Sequence, residues 1–236
     1  MSSVAVFSSI AGAKDNILEV NRFPNVDYWM FTEEANGPTA EARGWQHYCL
    51  PEWSTLTKPA RRNAKLPKIM PFACLPQYEY VIWQDGSHMV QIDPHEIIQD
   101  YIITPDKDFA SFQHGRDHAG MDYRCIYKEA ENIKSIGWLE DPAVVDTQMA
   151  AYRAEGFPED FGLSCTAGMV WHNVPRVRHL QLTWFEQVCH YSSRDQLSLF
   201  YSIWKTDMKD RLSLMKVHWC NNNIIRKMAG HNDPRQ

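Results

Sequence analysis

The 236 residues make about one domain or one and a half, and a composition 44% hydrophobic and 22% charged lets the chain bury a core. That excludes a disordered polyampholyte, and a formal charge of -5 argues against a nucleic-acid binder, which needs a basic face. No apolar window approaches the ~18–20 residues of a membrane span, and six widely spaced cysteines read as thiols of a reducing cytoplasm.

Residues 1–16 lack a basic opening and their apolar run is broken by hydroxyls, so 4–9 reads as a first strand rather than a signal peptide. A second strand follows over 26–32, rich in aromatic and β-branched residues. The basic stretch 59–71 (PARRNAKLPKIMP) predicts a short helix that Pro67 interrupts. The clearest strand is 78–83 (YEYVIW), which stops at Gln84-Asp85-Gly86. Asp93, Pro94 and Glu96 then supply an N-cap, a first-turn proline and a capping box. Residues 108–113 alternate as a strand, and Tyr123, Ile126, Tyr127, Ala130 and Ile133 recur at helical spacing. Asp141-Pro142 opens a helix that Gly156 closes. After a strand over 163–171, Pro175 begins a long helix that breaks at Ser192-Ser193. Ser193 and Gln196 pattern as a second capping box ahead of an apolar face of Leu197, Phe200, Tyr201 and Trp204. A short strand over 215–219 precedes a polar tail.

No repeat or linker divides the chain, so 1–236 reads as a single domain. Alternating strands and helices predict an α/β fold with a mostly parallel sheet covered on both faces. Such sheets take ligands just past the carboxyl ends of their strands.

Polar constellations stand near those turns. Trp83-Gln84-Asp85-Gly86 leaves a strand at its carboxyl end, where one carboxylate can hold a divalent cation against a diphosphate. Arg61, Arg62, Lys65 and Lys68 form a basic cluster, suited to phosphate oxygens or to a solvated helix face. His114-Gly115-Arg116-Asp117-His118, followed by Arg124, Tyr127 and Glu129, reads as a polar active-site loop. A zinc held by His114, Asp117 and His118 would instead make a hydrolase. Arg194, Asp195 and Gln196 open a helix, with Trp184 one helix upstream, and Asp195 there can hold a sugar hydroxyl. His218 and His231 are candidate imidazole ligands. There is no G-x-G-x-x-G, P-loop or G-x-S-x-G, so a dinucleotide dehydrogenase, a P-loop kinase and an α/β-hydrolase each lose their signature.

In chain order, Arg62-Asn63-Ala64-Lys65, Trp83-Gln84-Asp85-Gly86, His114-Gly115-Arg116, Cys125-Ile126-Tyr127-Lys128-Glu129-Ala130, Gln148-Met149-Ala150-Ala151-Tyr152 and Ser192-Ser193-Arg194-Asp195-Gln196-Leu197-Ser198 carry a resemblance. They are similar to the motifs of a glycosyltransferase-like family long filed as a domain of unknown function, with plant Golgi members linked to pectin and mucilage synthesis. The likeness runs over about 60–204. It implies a GT-A-like, Rossmann-type single domain with a mostly parallel mixed sheet, moving a sugar from a nucleotide-sugar donor to a glycan or other hydroxyl acceptor. Such enzymes hold the donor diphosphate through a divalent metal, Mn2+ or Mg2+, on a D-x-D element. Here Trp83 stands where the first Asp would be, which leaves Asp85, with His218 or His231 to complete the metal site. The resemblance then implies Arg62, Lys65, Trp83, Asp85 and Gly86 at the donor diphosphate, and His114, Trp184, Arg194 and Gln196 at the acceptor. Asp195, Glu129 and Arg116 would serve the transfer, either carboxylate qualifying as its base. The alternative is a non-catalytic glycan- or nucleotide-binding module of the same fold. Neither reading involves nucleic acid or a membrane span.

Overall fold

The structure is a computed structural model that describes residues 3–12, 15–54, 59–114, 124–137 and 141–228. Its strands form where apolar and β-branched residues concentrate. They are β1 (Val4–Ser9), β2 (Val26–Thr32), β3 (Gln46–Cys49), β4 (Tyr80–Gln84), β5 (His88–Val90), β6 (Phe109–Gln113), β7 (Ser164–His172), β8 (Leu212–Met215) and β9 (Ile225–Lys227). Among the described residues a seven-stranded sheet runs β3-β2-β1-β4-β7-β6-β8, with β7 alone reversed, while β5 and β9 make a separate antiparallel ribbon.

The helices are α1 (Gly37–Ala42), α2 (Pro59–Asn63), α3 (Lys65–Ile69), α4 (Pro71–Cys74), α5 (Pro94–Ile98), α6 (Ile126–Ser135), α7 (Pro142–Ala154), α8 (Pro175–His190) and α9 (Gln196–Lys205). Strand residues point alternately to the two faces, and both faces are covered. Ala5, Phe7, Val81 and Trp83 pack into a core with α3, α4 and α6 to α9, whereas Val4, Val6, Tyr80 and Ile82 pack with α1, α5 and the β5–β9 ribbon. This is the mixed, mostly parallel sheet that the alternation of elements predicts.

Local chemistry explains where the expected elements hold or shift. Asp141 caps α7 through the Ala143 N–H, and Gly156 takes φ 83° just beyond its end, as expected. Pro67 does not break its helix. It sits in the first turn of α3, where backbone N–H groups have no intrahelical partner, and the breaks fall at Ala64 and Met70. The last sheet strand is Leu212–Met215 rather than 215–219, because 212–215 is the segment that pairs with β6. The capping box of Ser193 and Gln196 does not form either. Asp195 occupies the N-cap position of α9 without a side-chain capping bond, its carboxylate being turned elsewhere.

One buried charge fastens the far side of the sheet. Asp108, just before β6 and 1% exposed at its side chain, accepts from Arg176 of α8 and from Arg211 just before β8. Burial pushes its carboxyl up, but the two guanidinium groups outweigh that and hold it down to about 2. A lowered native value means the stabilisation is present above the ordinary value of 3.8 and is lost as pH falls toward 2. Asp108→Ala is therefore expected to lower unfolding free energy by about 3 kcal/mol at neutral pH. Urea titrations should show the gap from the parent narrowing below about pH 4.

Candidate active site

Parallel strands end on one rim, and the chemistry gathers there. β1, β2, β4 and β6 all finish on this rim, and β7, running the other way, starts from it. β4 delivers Asp85, whose N–H donates to the Ala167 carbonyl of β7 at 2.8 Å. Gly86 follows. A Cβ there would stand 2.7 Å from the Ile10 side chain, so the missing side chain lets the end of β1 pack against the turn.

Two lysines on α3, three residues apart and so on one helix face, reach this rim. Lys68 Nζ lies 3.1 Å from Asp85 Oδ1, 2.8 Å from Asp195 Oδ2 and 3.2 Å from Thr166 Oγ1. Lys65 Nζ donates to Asp195 Oδ1 at 2.8 Å, and Thr166 Oγ1 donates to Asp195 Oδ2 at 3.0 Å. Trp83 Nε1 donates to Asp85 Oδ1 at 3.0 Å, with its ring 5.1 Å from the Lys68 ammonium. Asp85, Asp195, Lys65 and Lys68 thus form a quartet of alternating charge. Lys68 is 4% exposed and Asp195 7%, while Asp85 keeps a 33% exposed edge.

Burial opposes every charge in the quartet, and the partners decide the outcome. Burial would raise Asp195, but Lys65 and Lys68 hold its carboxyl well below the usual carboxylate range. Asp85 is also lowered, Lys68, His88 and Lys65 outweighing burial. For Lys68, burial is overcome by Asp195 and Asp85, and its ammonium is held above the ordinary lysine value. Lys65 has one close carboxylate and a like charge nearby, so burial wins and takes it down to about 7.

Glu129, in the first turn of α6, is the next carboxylate along. Its Oε1 lies 4.0 Å from Arg194 Nη2, and Arg194 adjoins Asp195 in the chain. Burial raises its carboxyl, with Arg194 and Asn132 pulling the other way.

Several expected site residues prove to be supports. Arg62 is 4% exposed and donates to the carbonyls of Val188 and Tyr191 at 2.6 and 2.9 Å, so it clasps the end of α8 instead of a diphosphate. Trp184 is fully buried and no platform for an acceptor; its indole N–H holds the Asp195 carbonyl at 2.9 Å. Trp83, 3% exposed, orients Asp85 rather than touching a donor. His218 is exposed, its Nδ1 3.1 Å from Cys220 Sγ, and among the described residues it joins no metal-ligand group with Asp85. His114 ends β6 on the active rim, and Gln196 stands half-exposed beside Asp195. Arg116, Asp117, His118 and His231 lie outside the described residues. Sequence reasoning did not foresee Thr166, which carries no local signal, nor the central place of Lys68, for which helical spacing from Lys65 was the available clue.

A divalent ion takes several oxygen ligands with free lone pairs. Asp85 Oδ1 already accepts from Lys68 and Trp83, and both oxygens of Asp195 accept from lysine or threonine. Among the described residues no group of three or more His, Cys, Asp or Glu is arranged for a metal. Among the described residues, the side chains around Asp85 therefore do not fit the ion expected there. Two small hollows, of about 220 and 130 Å³, lie elsewhere and touch no member of the quartet.

Comparison with known proteins identifies the fold and the family. The chain is 27% identical over 169 residues to the Arabidopsis thaliana "Probable hexosyltransferase MUCI70", covering 67% of this chain and 26% of that protein. It thus spans about a quarter of that relative's length. The core-mannan synthase A (CmsA/Ktr4) of Aspergillus fumigatus, solved in its Mn/GDP form, superposes with a TM-score of 0.51 at 9% identity, over 98% of this chain and 76% of that one. Mouse xyloside xylosyltransferase 1, apo form, gives 0.49 at 11% identity, over 89% and 84%. The fold is GT-A-like. The TOD1/MUCI70, glycosyltransferase-like domain matches residues 3–231, and the chain belongs to that family.

Proposed function

We propose that this protein transfers a hexosyl or related sugar from a nucleotide-sugar donor to a hydroxyl of a glycan or other acceptor. The observation that carries the reading is the charge quartet on the carboxyl rim of the sheet, where α/β folds take ligands. In transfer, the bond from the anomeric carbon to the diphosphate oxygen breaks and its electron pair stays with that oxygen. The acceptor oxygen bonds the anomeric carbon and passes its proton to a carboxylate. Positive charge fixed beside the leaving diphosphate is the larger help, and Lys65 and Lys68 supply it.

Asp195 is a weak base, since all its oxygens accept hydrogen bonds and its carboxyl is held low. Its role is to fix the two lysines. Glu129, raised by burial, is the better acceptor of the proton. His114, Arg194 and Gln196 are assigned to the acceptor, as the family resemblance implies. CmsA holds manganese with GDP, which makes a divalent ion the natural comparison, yet among the described residues of the quartet it would find only the outer oxygen of Asp85 without a hydrogen bond. A reducing, cytoplasmic setting is part of the same proposal and rests on the wide spacing of the six cysteines in the sequence. No described helix is long and apolar enough to cross a membrane.

The test is a panel of nucleotide-sugars and nucleoside diphosphates, read by melting shift and by release of nucleoside diphosphate. A true donor at a hundred times its dissociation constant adds about 2.7 kcal/mol, a shift of roughly 5–10 °C for a chain of this size. Response to glycans alone, with no nucleotide bound or cleaved, would sink the reading and leave a binding module.

A further inference from the structure

We propose that Lys68, together with Lys65, takes the place of the divalent cation at this site, so that the donor diphosphate binds without metal. The proposal rests on the transferase reading and goes one step beyond it.

Three observations carry it. First, the ammonium of Lys68 already bridges the two carboxylates, 3.1 Å from Asp85 and 2.8 Å from Asp195, the bridging position a shared cation would hold. Second, the charges balance. With both lysines protonated, two carboxylates and two ammonium groups sum to zero, as two carboxylates and one divalent ion would. Lys65, taken down to about 7 by burial, is in part neutral in the empty site, and an arriving diphosphate favours its protonated form. Third, Trp83 occupies the position from which a D-x-D element would offer its first carboxylate, and that same indole secures the lysine arrangement. Its N–H fixes Asp85 Oδ1 at 3.0 Å and its ring face lies 5.1 Å from the Lys68 ammonium, within range of a cation–π attraction. The replacement that removes a metal ligand thus cradles the substitute charge. Thr166 completes the cradle at 3.2 Å. Lys68 is also held above the ordinary lysine value by its two carboxylates, so its charge persists at neutral pH.

Calorimetric titration of UDP and GDP into the intact protein, in EDTA and then in excess MnCl2, tests this directly. The tighter-binding nucleotide should keep its affinity within about threefold between the two conditions, and MnCl2 alone should leave the melting temperature unchanged. Lys68→Met should weaken that affinity at least about tenfold in EDTA. Because it removes the ammonium that bridges Asp85 and Asp195, it should also gain a manganese-induced melting shift that the parent lacks. If Lys68→Met does not fold, the comparison of EDTA with manganese in the parent decides alone. Affinity tenfold or more tighter with manganese in the parent overturns the proposal, as does undiminished EDTA binding by a folded Lys68→Met. Binding of neither nucleotide in either condition overturns the transferase reading itself and this proposal with it.

Discussion

Asp195→Asn is expected to slow sugar transfer by about 10³-fold and to lower the stability of the fold by about 3 kcal/mol at neutral pH. Asp195 is the hub of the quartet, 7% exposed, and accepts from Lys65, Lys68 and Thr166. Losing its charge leaves the Lys68 ammonium with one carboxylate and, among the described residues, Lys65 with no close one. The native carboxyl lies below its ordinary value, so its stabilisation is in force above about pH 4 and fades as pH falls through the native value. Urea unfolding should accordingly show parent and variant separated from pH 5 upward and converging in acid. Asp85→Asn is the internal comparison. With a 33% exposed edge and one lysine partner, it should cost less in both stability and rate. A larger rate loss from Asp85→Asn than from Asp195→Asn would move the centre of the site to Asp85.

Glu129→Gln should reduce transfer by about 10²–10⁴-fold, the range of a lost general base, while leaving nucleotide affinity within about threefold. Burial raises its carboxyl above the ordinary 4.5, so parent activity should climb with pH through that raised value, and the climb should vanish in the variant. Arg194 opposes burial from 4.0 Å away, so Arg194→Met should move the acidic limb of the profile upward in pH. An acidic limb that persists unchanged in Glu129→Gln would assign the proton to another group.

The buried strands were legible because β1, β2, β4, β6 and β7 are apolar, β-branched or aromatic along their length, and a sheet covered on both faces demands that composition. β3, QHYC, escaped because it is a short, largely exposed edge strand. The β5–β9 ribbon escaped because His88 pairs with Lys227, a distance along the chain that no local pattern reports. At the site, composition and turn position pointed to Asp85, Lys65 and Asp195. Which of them meet is a matter of topology, since Lys65 and Asp195 stand 130 positions apart. The capping box was read at Ser193 and Gln196, whereas α9 begins at Gln196 and gives Asp195 the N-cap place. Helix N–H groups compete weakly for a carboxylate that two ammonium groups can reach, so Asp195 turned from its helix to the lysines. Arg62 and Trp184 were conspicuous in the sequence but their burial was not, because a buried guanidinium or indole has the same spelling as one that binds a ligand.

Arg62 has a consequence of its own. It sits on α2, one turn before the lysines, and grips the end of α8, one turn before Asp195. That clasp joins a guanidinium to backbone carbonyls and does not draw on the carboxylates of the quartet. The two halves of the site are therefore held at their working separation before any donor arrives, and little reorganisation energy stands between an empty rim and a loaded one.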